Sequence, residues 1–453
     1  MFCSRLLAGA AGIFLLAACS INLGSSLGLG GSDKTSAQVV GDEPFAVKVG
    51  AATLAQGGDA VDAATAMYFA LSVTYPVSAG LGGGGICIVH DPVRNQSEEF
   101  NFLTRDAAGG GAYAVPGNVR GFALMQNAYG ALPWQKLVAP AEVYARTGFP
   151  ISRALAARLK EAEDVVRLDA GLAAEFMDEA GHVKGTGGIA VNIDLANTLA
   201  TVRTQGADGF YADPVGAKIV AYSASQGGAI ATRELAAYHA NRVTPRVLRM
   251  GDDYVFLPES RTGAGAFTGA LLDNLARAQA TPVGEQDAEA AVIVAIKQTL
   301  RDFGLDSLPK DLGATGFAAT DAKGQAVACA VTMNGPFGSG HTALGTGVTL
   351  AHSPSSGAVG LASAFLTPVI ASPSGDRPAT LAGAGAGGPN GSAAIAYALI
   401  RIAHGKDIAT RSELRSTGVA PYDTVNAIIC TSESCAALSD PGANGLGAIV
   451  TVP

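Results

Sequence analysis

Thr315 opens a β-prone run and is flanked by Gly313 and Gly316, a setting that suits one particular chemistry. If the chain were cut before it, the freed α-amine would act as base for its own hydroxyl, as in amide hydrolysis by an N-terminal nucleophile. The glycines would permit the strained turn that self-cleavage needs. The plainer reading is a β-branched residue at the start of a strand, which is a common use of threonine. Two segments match G-x-G-x-x-G, at Gly80, Gly82, Gly85 and at Gly383, Gly385, Gly388. Only the second has strand-like sequence before it and helix-like sequence after it, the order a phosphate cradle requires. Both also read as tight turns. Backbone N–H groups of Gly387 and Gly388 at a helix start would in addition suit an anion or an oxyanion. No G-x-S-x-G occurs, and the six histidines are scattered without ligand spacing, so neither a serine hydrolase nor a metal site is indicated. Nothing points to a cofactor.

The elements that must position these residues follow from composition and pattern. With 453 residues, 48% hydrophobic and 15% charged, the chain can bury a large core. Its 59 glycines follow no period of three, which excludes collagen. A net charge of -8 argues against nucleic acid as a partner. The stretch from Asp59 to Val73 is Ala-rich and apolar on all sides, the pattern of a buried helix. Further helices are expected at 134–146, 153–166, 193–205, 265–279 and from Ser392 to Ile402. Residues 315–320 and 325–333 form a hairpin pattern around Asp321 to Gly324. Strand pairs flanked by helices without strict alternation favour α+β.

The N-terminus reads as an export signal: Arg5, an apolar run from Leu6 to Ala18, then Cys19. Leu16 to Cys19 resembles a bacterial lipobox, which predicts signal removal after residue 18, lipidation of Cys19 and a membrane anchor in the cell envelope. Ser20 after the cysteine favours the periplasmic face of the outer membrane. Residues 19–41, rich in Gly and Ser, then read as a flexible tether. In an oxidising compartment Cys430 and Cys435, close together in CTSESC, are a plausible disulfide, whereas Cys87 and Cys329, each in an apolar run, read as buried thiols.

The ordered series from GGDAVDAATAMYFALSVTYPVSAGLGGGGICIV (57–89) through AVPGNVRGFALMQNAYGALPWQKLVAPA (114–141), ARTGFPIS (145–152) and LANTLATVRTQGADGFY (195–211) to TDAKGQAVACAVTMNGPFGSG (320–340) resembles the γ-glutamyltranspeptidase family, also called γ-glutamyltransferase or glutathione hydrolase. The resemblance implies a four-layer αββα N-terminal-nucleophile hydrolase fold. It also implies self-cleavage into large and small subunits that stay together, here 42–314 and 315–453, and a small-molecule amide or peptide substrate such as glutathione. Counted back from Asp321 without gaps, the family's Thr-Thr-His falls on Ala314, Thr315 and Gly316, so the nucleophile position holds alanine. Thr315 would serve if the cut fell one residue later, but that shift reverses side-chain parity unless a bulge restores it. The arginine that receives the substrate carboxylate falls on Leu103, with Arg105 two residues on as the substitute. The serine pair falls on Ala364 and Phe365, and the acid that receives the ammonium has no counterpart near His352 to Ser355. Asn334 and the oxyanion pair Gly387 and Gly388 match. Two functions remain open: an exported amidohydrolase or acyltransferase using Thr315, or an uncleaved pseudoenzyme that binds a ligand or partner at the envelope.

Overall fold

The computed structural model describes residues 36–259, 263–278, 285–304, 311–403, 424–431, 434–440 and 442–452. Cys19, the export signal and most of the expected tether lie outside them. Two antiparallel sheets lie face to face with helices on both outer sides, which is the αββα arrangement. The first sheet runs in the order Leu446–Val450, Ala37–Gly41, Ala314–Thr320, Ala326–Thr332, Gly84–Asp91, Gln96–Phe102, Asn241–Val243. The second runs Cys435–Leu438, Thr424–Cys430, Leu381–Ala386, Thr367–Ser372, Asp253–Leu257, Arg246–Met250.

Side-chain size sorts the layers. In the strand Ala326–Thr332, Val327, Cys329 and Val331 join the large cluster beneath the helices, while Ala326, Ala328 and Ala330 face the second sheet. Alternation of period two puts bulk on one side and methyls on the other. The sheets come so close that a Cβ added at Gly316 would lie 2.8 Å from the Ala384 Cβ. The abundance of Gly and Ala therefore serves the contact between the sheets.

The expected buried helix is Ala60–Thr74, and all fifteen of its residues are buried. Its start is fixed by a capping box, in which Asp59 accepts from the Asp62 N–H at 2.8 Å and Asp62 accepts from the Asp59 N–H at 3.3 Å. Trp134–Thr147, Ile193–Gln205, Ala266–Ala278 and Pro389–Ala403 fall where helices were expected, and the helix expected at 153–166 is broken at Ala162 into Arg153–Glu161 and Glu163–Leu168.

Two expectations need correction. The tether does not extend to residue 41, because Ala37–Gly41 is a fully buried strand paired on both edges. Cys87 and Cys329 are not thiols. They stand directly opposite each other on neighbouring strands and form a disulfide, since sheet register brings together two apolar runs 242 residues apart. Cys430 and Cys435 are also joined, at the facing ends of Thr424–Cys430 and Cys435–Leu438.

Candidate active site

The site is built around the entry of the chain into the strand Ala314–Thr320. Gly313 turns the backbone with φ +57°, and a Cβ there would meet the Gly335 carbonyl oxygen at 1.9 Å, so only glycine fits. The turn is tied to the neighbouring loop by bonds from the Met333 N–H to the Gly313 carbonyl (2.9 Å) and from the Gly335 N–H to the Leu312 carbonyl (3.0 Å). Upstream, Arg158 grips Asp311 with one guanidinium nitrogen 2.8 Å from each carboxylate oxygen. Asp311 also accepts from the Gly313 N–H at 2.7 Å.

Ala314 is 1% exposed and lies in a small apolar cluster with Ile86, Ala330, Leu366 and Ala386, against which Leu103 packs. Thr315 is fully buried on the other side of the strand. The ladder with Ala326–Thr332 is continuous from Ala314 opposite Thr332 to Thr320 opposite Ala326, so no bulge restores the family's parity. The Thr315 hydroxyl donates to Asp42 at 2.6 Å, and the Asn426 amide donates to the other Asp42 oxygen at 2.8 Å and to the Gly316 carbonyl at 2.9 Å. Burial pushes the Asp42 carboxyl above its ordinary range, against the hydrogen bonds from Thr315 and Asn426 that pull it down.

A cavity of about 350 Å³ opens beside this strand entry, and both Arg105 and Asn334 line it, together with Leu103, Thr104 and Ser363. Thr315, Gly387 and Gly388 are not among the residues that line it. Asn334 is 2% exposed with φ +54°, and its amide donates to the Thr104 hydroxyl (3.1 Å) and to the His352 carbonyl (2.8 Å). It thus clips two walls of the cavity together. Arg105 is exposed, stacks at 4.6 Å over Tyr238 and donates to the His239 carbonyl at 2.8 Å. It offers the cavity a positioned cation. Gly387 and Gly388 lie between the strand Leu381–Ala386 and the helix Pro389–Ala403, directly after Ala386 of the Ala314 cluster.

Asp106 was missed. It accepts from the Ser353 hydroxyl, from the Ser355 N–H at 3.0 Å and from the Ser355 hydroxyl at 2.5 Å, and so fastens the loop where the family's ammonium-binding acid was sought. Partial burial raises its carboxyl, but the bonds from Ser353 and Ser355 outweigh this and hold it below the ordinary value. Its place next to Arg105 was the only signal in the sequence. Tyr238 and Asn241 also line the cavity, and nothing local marks them.

Comparison with known proteins agrees with this architecture. A profile of the family described as Gamma-glutamyltranspeptidase matches residues 46–302. The chain is 33% identical over 225 residues to the glutathione hydrolase proenzyme of Escherichia coli K12, covering 44% of this chain and 38% of that protein. It is 27% identical over 377 residues to scoloptoxin SSD14 of Scolopendra dehaani, covering 69% and 65%. The chain thus spans only about two fifths of the Escherichia coli protein's length. Among solved structures, a cephalosporin acylase from Bacillus halodurans superposes with TM-score 0.74 at 17% identity, covering 96% of this chain and 99% of that one. The γ-glutamyltranspeptidase of Helicobacter pylori superposes with TM-score 0.52 at 25% identity, covering 58% and 81%. With more than half of its length matched by the profile, the chain belongs to the γ-glutamyltranspeptidase family, whose members are hydrolases and transferases of the N-terminal-nucleophile kind.

Proposed function

We propose that the protein is an uncleaved member of the family that binds a small anionic amide or peptide in the Arg105 and Asn334 cavity without forming an acyl intermediate. One observation carries this reading: the nucleophile position is the methyl of Ala314, enclosed by Leu103 and Leu366, while the neighbouring hydroxyl faces away and is held by Asp42. Acyl transfer needs a nucleophilic oxygen within reach of the bound carbonyl, and Ala314 has none to offer. Arg105 supplies the charge that receives a ligand carboxylate. At the periplasmic face of the outer membrane such a protein would act as a lipid-anchored receptor or scavenger, held through Cys19.

A second reading, the amidohydrolase, is favoured by the Thr315 to Asp42 bond of 2.6 Å, because a carboxylate at that distance can take the hydroxyl proton. Intact mass and N-terminal sequencing of reduced, purified protein after prolonged incubation separate the two. A single chain is expected. A fragment that begins at Thr315 would overturn the binding-protein reading and establish the amidohydrolase.

A further inference from the structure

The cavity beside the strand Ala314–Thr320 carries charge of one sign. Its cation is Arg105, held over the Tyr238 ring, and the Tyr238 hydroxyl is itself fastened to the Leu103 carbonyl at 2.8 Å. One guanidinium nitrogen, Nη2, is spent on the His239 carbonyl. The N–H groups of Nε and Nη1 have no acceptor among the described residues, and the side chain is exposed on the cavity wall. No carboxylate among the described residues lines the cavity. The acids closest in sequence to its walls are engaged elsewhere. Asp106 fastens Ser353 and Ser355, and Glu99 accepts from the Asn101 amide at 3.3 Å and from the Glu259 N–H at 2.6 Å.

The wall also holds one fixed acceptor. Asn334 uses both N–H groups of its amide, on the Thr104 hydroxyl and on the His352 carbonyl. A backbone carbonyl can only accept, so the orientation of the amide is set and the end left over is its oxygen, Oδ1. Oδ1 accepts no hydrogen bond and is not sealed in, so it belongs to the 2% of Asn334 that remains exposed. The bond to Thr104 places Asn334 against the chain neighbour of Arg105, so that cation and acceptor share one stretch of wall. The Ser363 hydroxyl and the Asn241 amide add neutral polar groups, and Leu103 and Pro354 add apolar surface.

A ligand carboxylate is served by the unpaired N–H groups of Arg105. An ammonium on the same ligand would lie close to a guanidinium with no anion to offset it, and losing water there disfavours the charged form. A nitrogen that is acylated carries no charge and keeps one N–H, the donor that Asn334 Oδ1 lacks.

We propose that this cavity selects carboxylic acids whose amino nitrogen is acylated, with the carboxylate on Arg105 and the neutral amide N–H donating to Asn334 Oδ1, and that it turns away free amino acids. The selectivity rests on the reading of the cavity as a binding site for a small anionic amide.

Calorimetry on the full chain at about pH 6.5, where carboxylates are ionised and free amines protonated, compares four ligands of one skeleton. N-acetyl-L-leucine should bind saturably at one site per chain. L-leucine restores the ammonium, N-acetyl-L-leucinamide removes the carboxylate and N-acetyl-N-methyl-L-leucine removes the N–H. Each of these should bind at least about tenfold more weakly. Arg105→Gln should bring N-acetyl-L-leucine down to the level of its leucinamide. L-leucine binding as tightly as its acetylated form, or an N-methyl derivative that loses nothing, would overturn the selectivity and leave the binding-protein reading standing. Unchanged binding in Arg105→Gln, or no saturable heat from any of the carboxylates, would overturn both. A fragment that begins at Thr315 would overturn that reading alone, because ligand preference is measured on the chain as purified.

Discussion

The two sides of the strand Ala314–Thr320 meet different surroundings. Toward the second sheet, Ala314, Gly316 and Ala318 present little more than methyls to Ala384, Ala386 and their neighbours. On the other face Phe317 and Ala319 join the main core, and Thr315 reaches the buried carboxylate of Asp42, which Asn426 of the second sheet also holds. In a strand, moving a hydroxyl by one residue turns it to the opposite face. If Ala314 takes the family's nucleophile position, Thr315 does not replace it, because its hydroxyl lies on the opposite face of the strand and is tied to Asp42.

The largest test removes the anchor common to both sides. Arg158→Met leaves Asp311 without its cation at a site where the two side chains are 5% and 13% exposed. It should cost about 3–5 kcal/mol in urea denaturation. A loss below about 1 kcal/mol would show that the strand entry is held by its backbone bonds alone.

Next comes the acid beside Asp42 on the helix side. Burial pushes the Glu43 carboxyl from 4.5 up to about 7, despite bonds from the Ala46 N–H and the Thr74 hydroxyl. The folded state then holds a proton that the unfolded chain has released. The resulting stability is fully present below about pH 4.5 and is lost as pH rises toward 7. Glu43→Gln should flatten this part of the pH profile by up to about 3 kcal/mol. An unchanged slope between pH 5 and pH 7.5 would assign the dependence to other groups.

A pair of substitutions then addresses the two faces directly. Thr315→Val keeps the volume and deprives Asp42 of a donor, at about 2 kcal/mol. Ala314→Thr adds atoms to the Leu103 and Leu366 cluster and should cost about 1–3 kcal/mol. If Ala314→Thr proved neutral and produced a new N-terminus at residue 314, the inward side would still be an intact catalytic site lacking only its nucleophile. The smallest effect is expected at Arg105. Arg105→Ala should change stability by no more than about 0.5 kcal/mol, since the side chain is exposed, yet it should weaken carboxylate ligands in the cavity, as read by calorimetry.

Much of this was legible because it is local. The all-apolar helix that follows Asp59 and the turn from Asp321 to Gly324 each carry their signal within a few residues. Arg105 and Asn334 could be carried to a common site by resemblance, and they share one cavity. What escaped depends on distant partners. The hydroxyl of Thr315 is claimed by Asp42, 273 residues away, at the end of a segment that reads as tether. Cys87 and Cys329 look like inert core thiols until sheet register sets them side by side.

The bond between Cys87 and Cys329 spans the position where the resemblance would place a cut, with one sulfur upstream of Ala314 and the other downstream of Thr315. If this chain were cut there, its two parts would still be one covalent molecule. They would migrate together until a reductant was added, and their unfolding and refolding would remain first order at any protein concentration. Two-part relatives without such a bond must find each other again by diffusion, whereas here reassembly would be a closure within a single molecule.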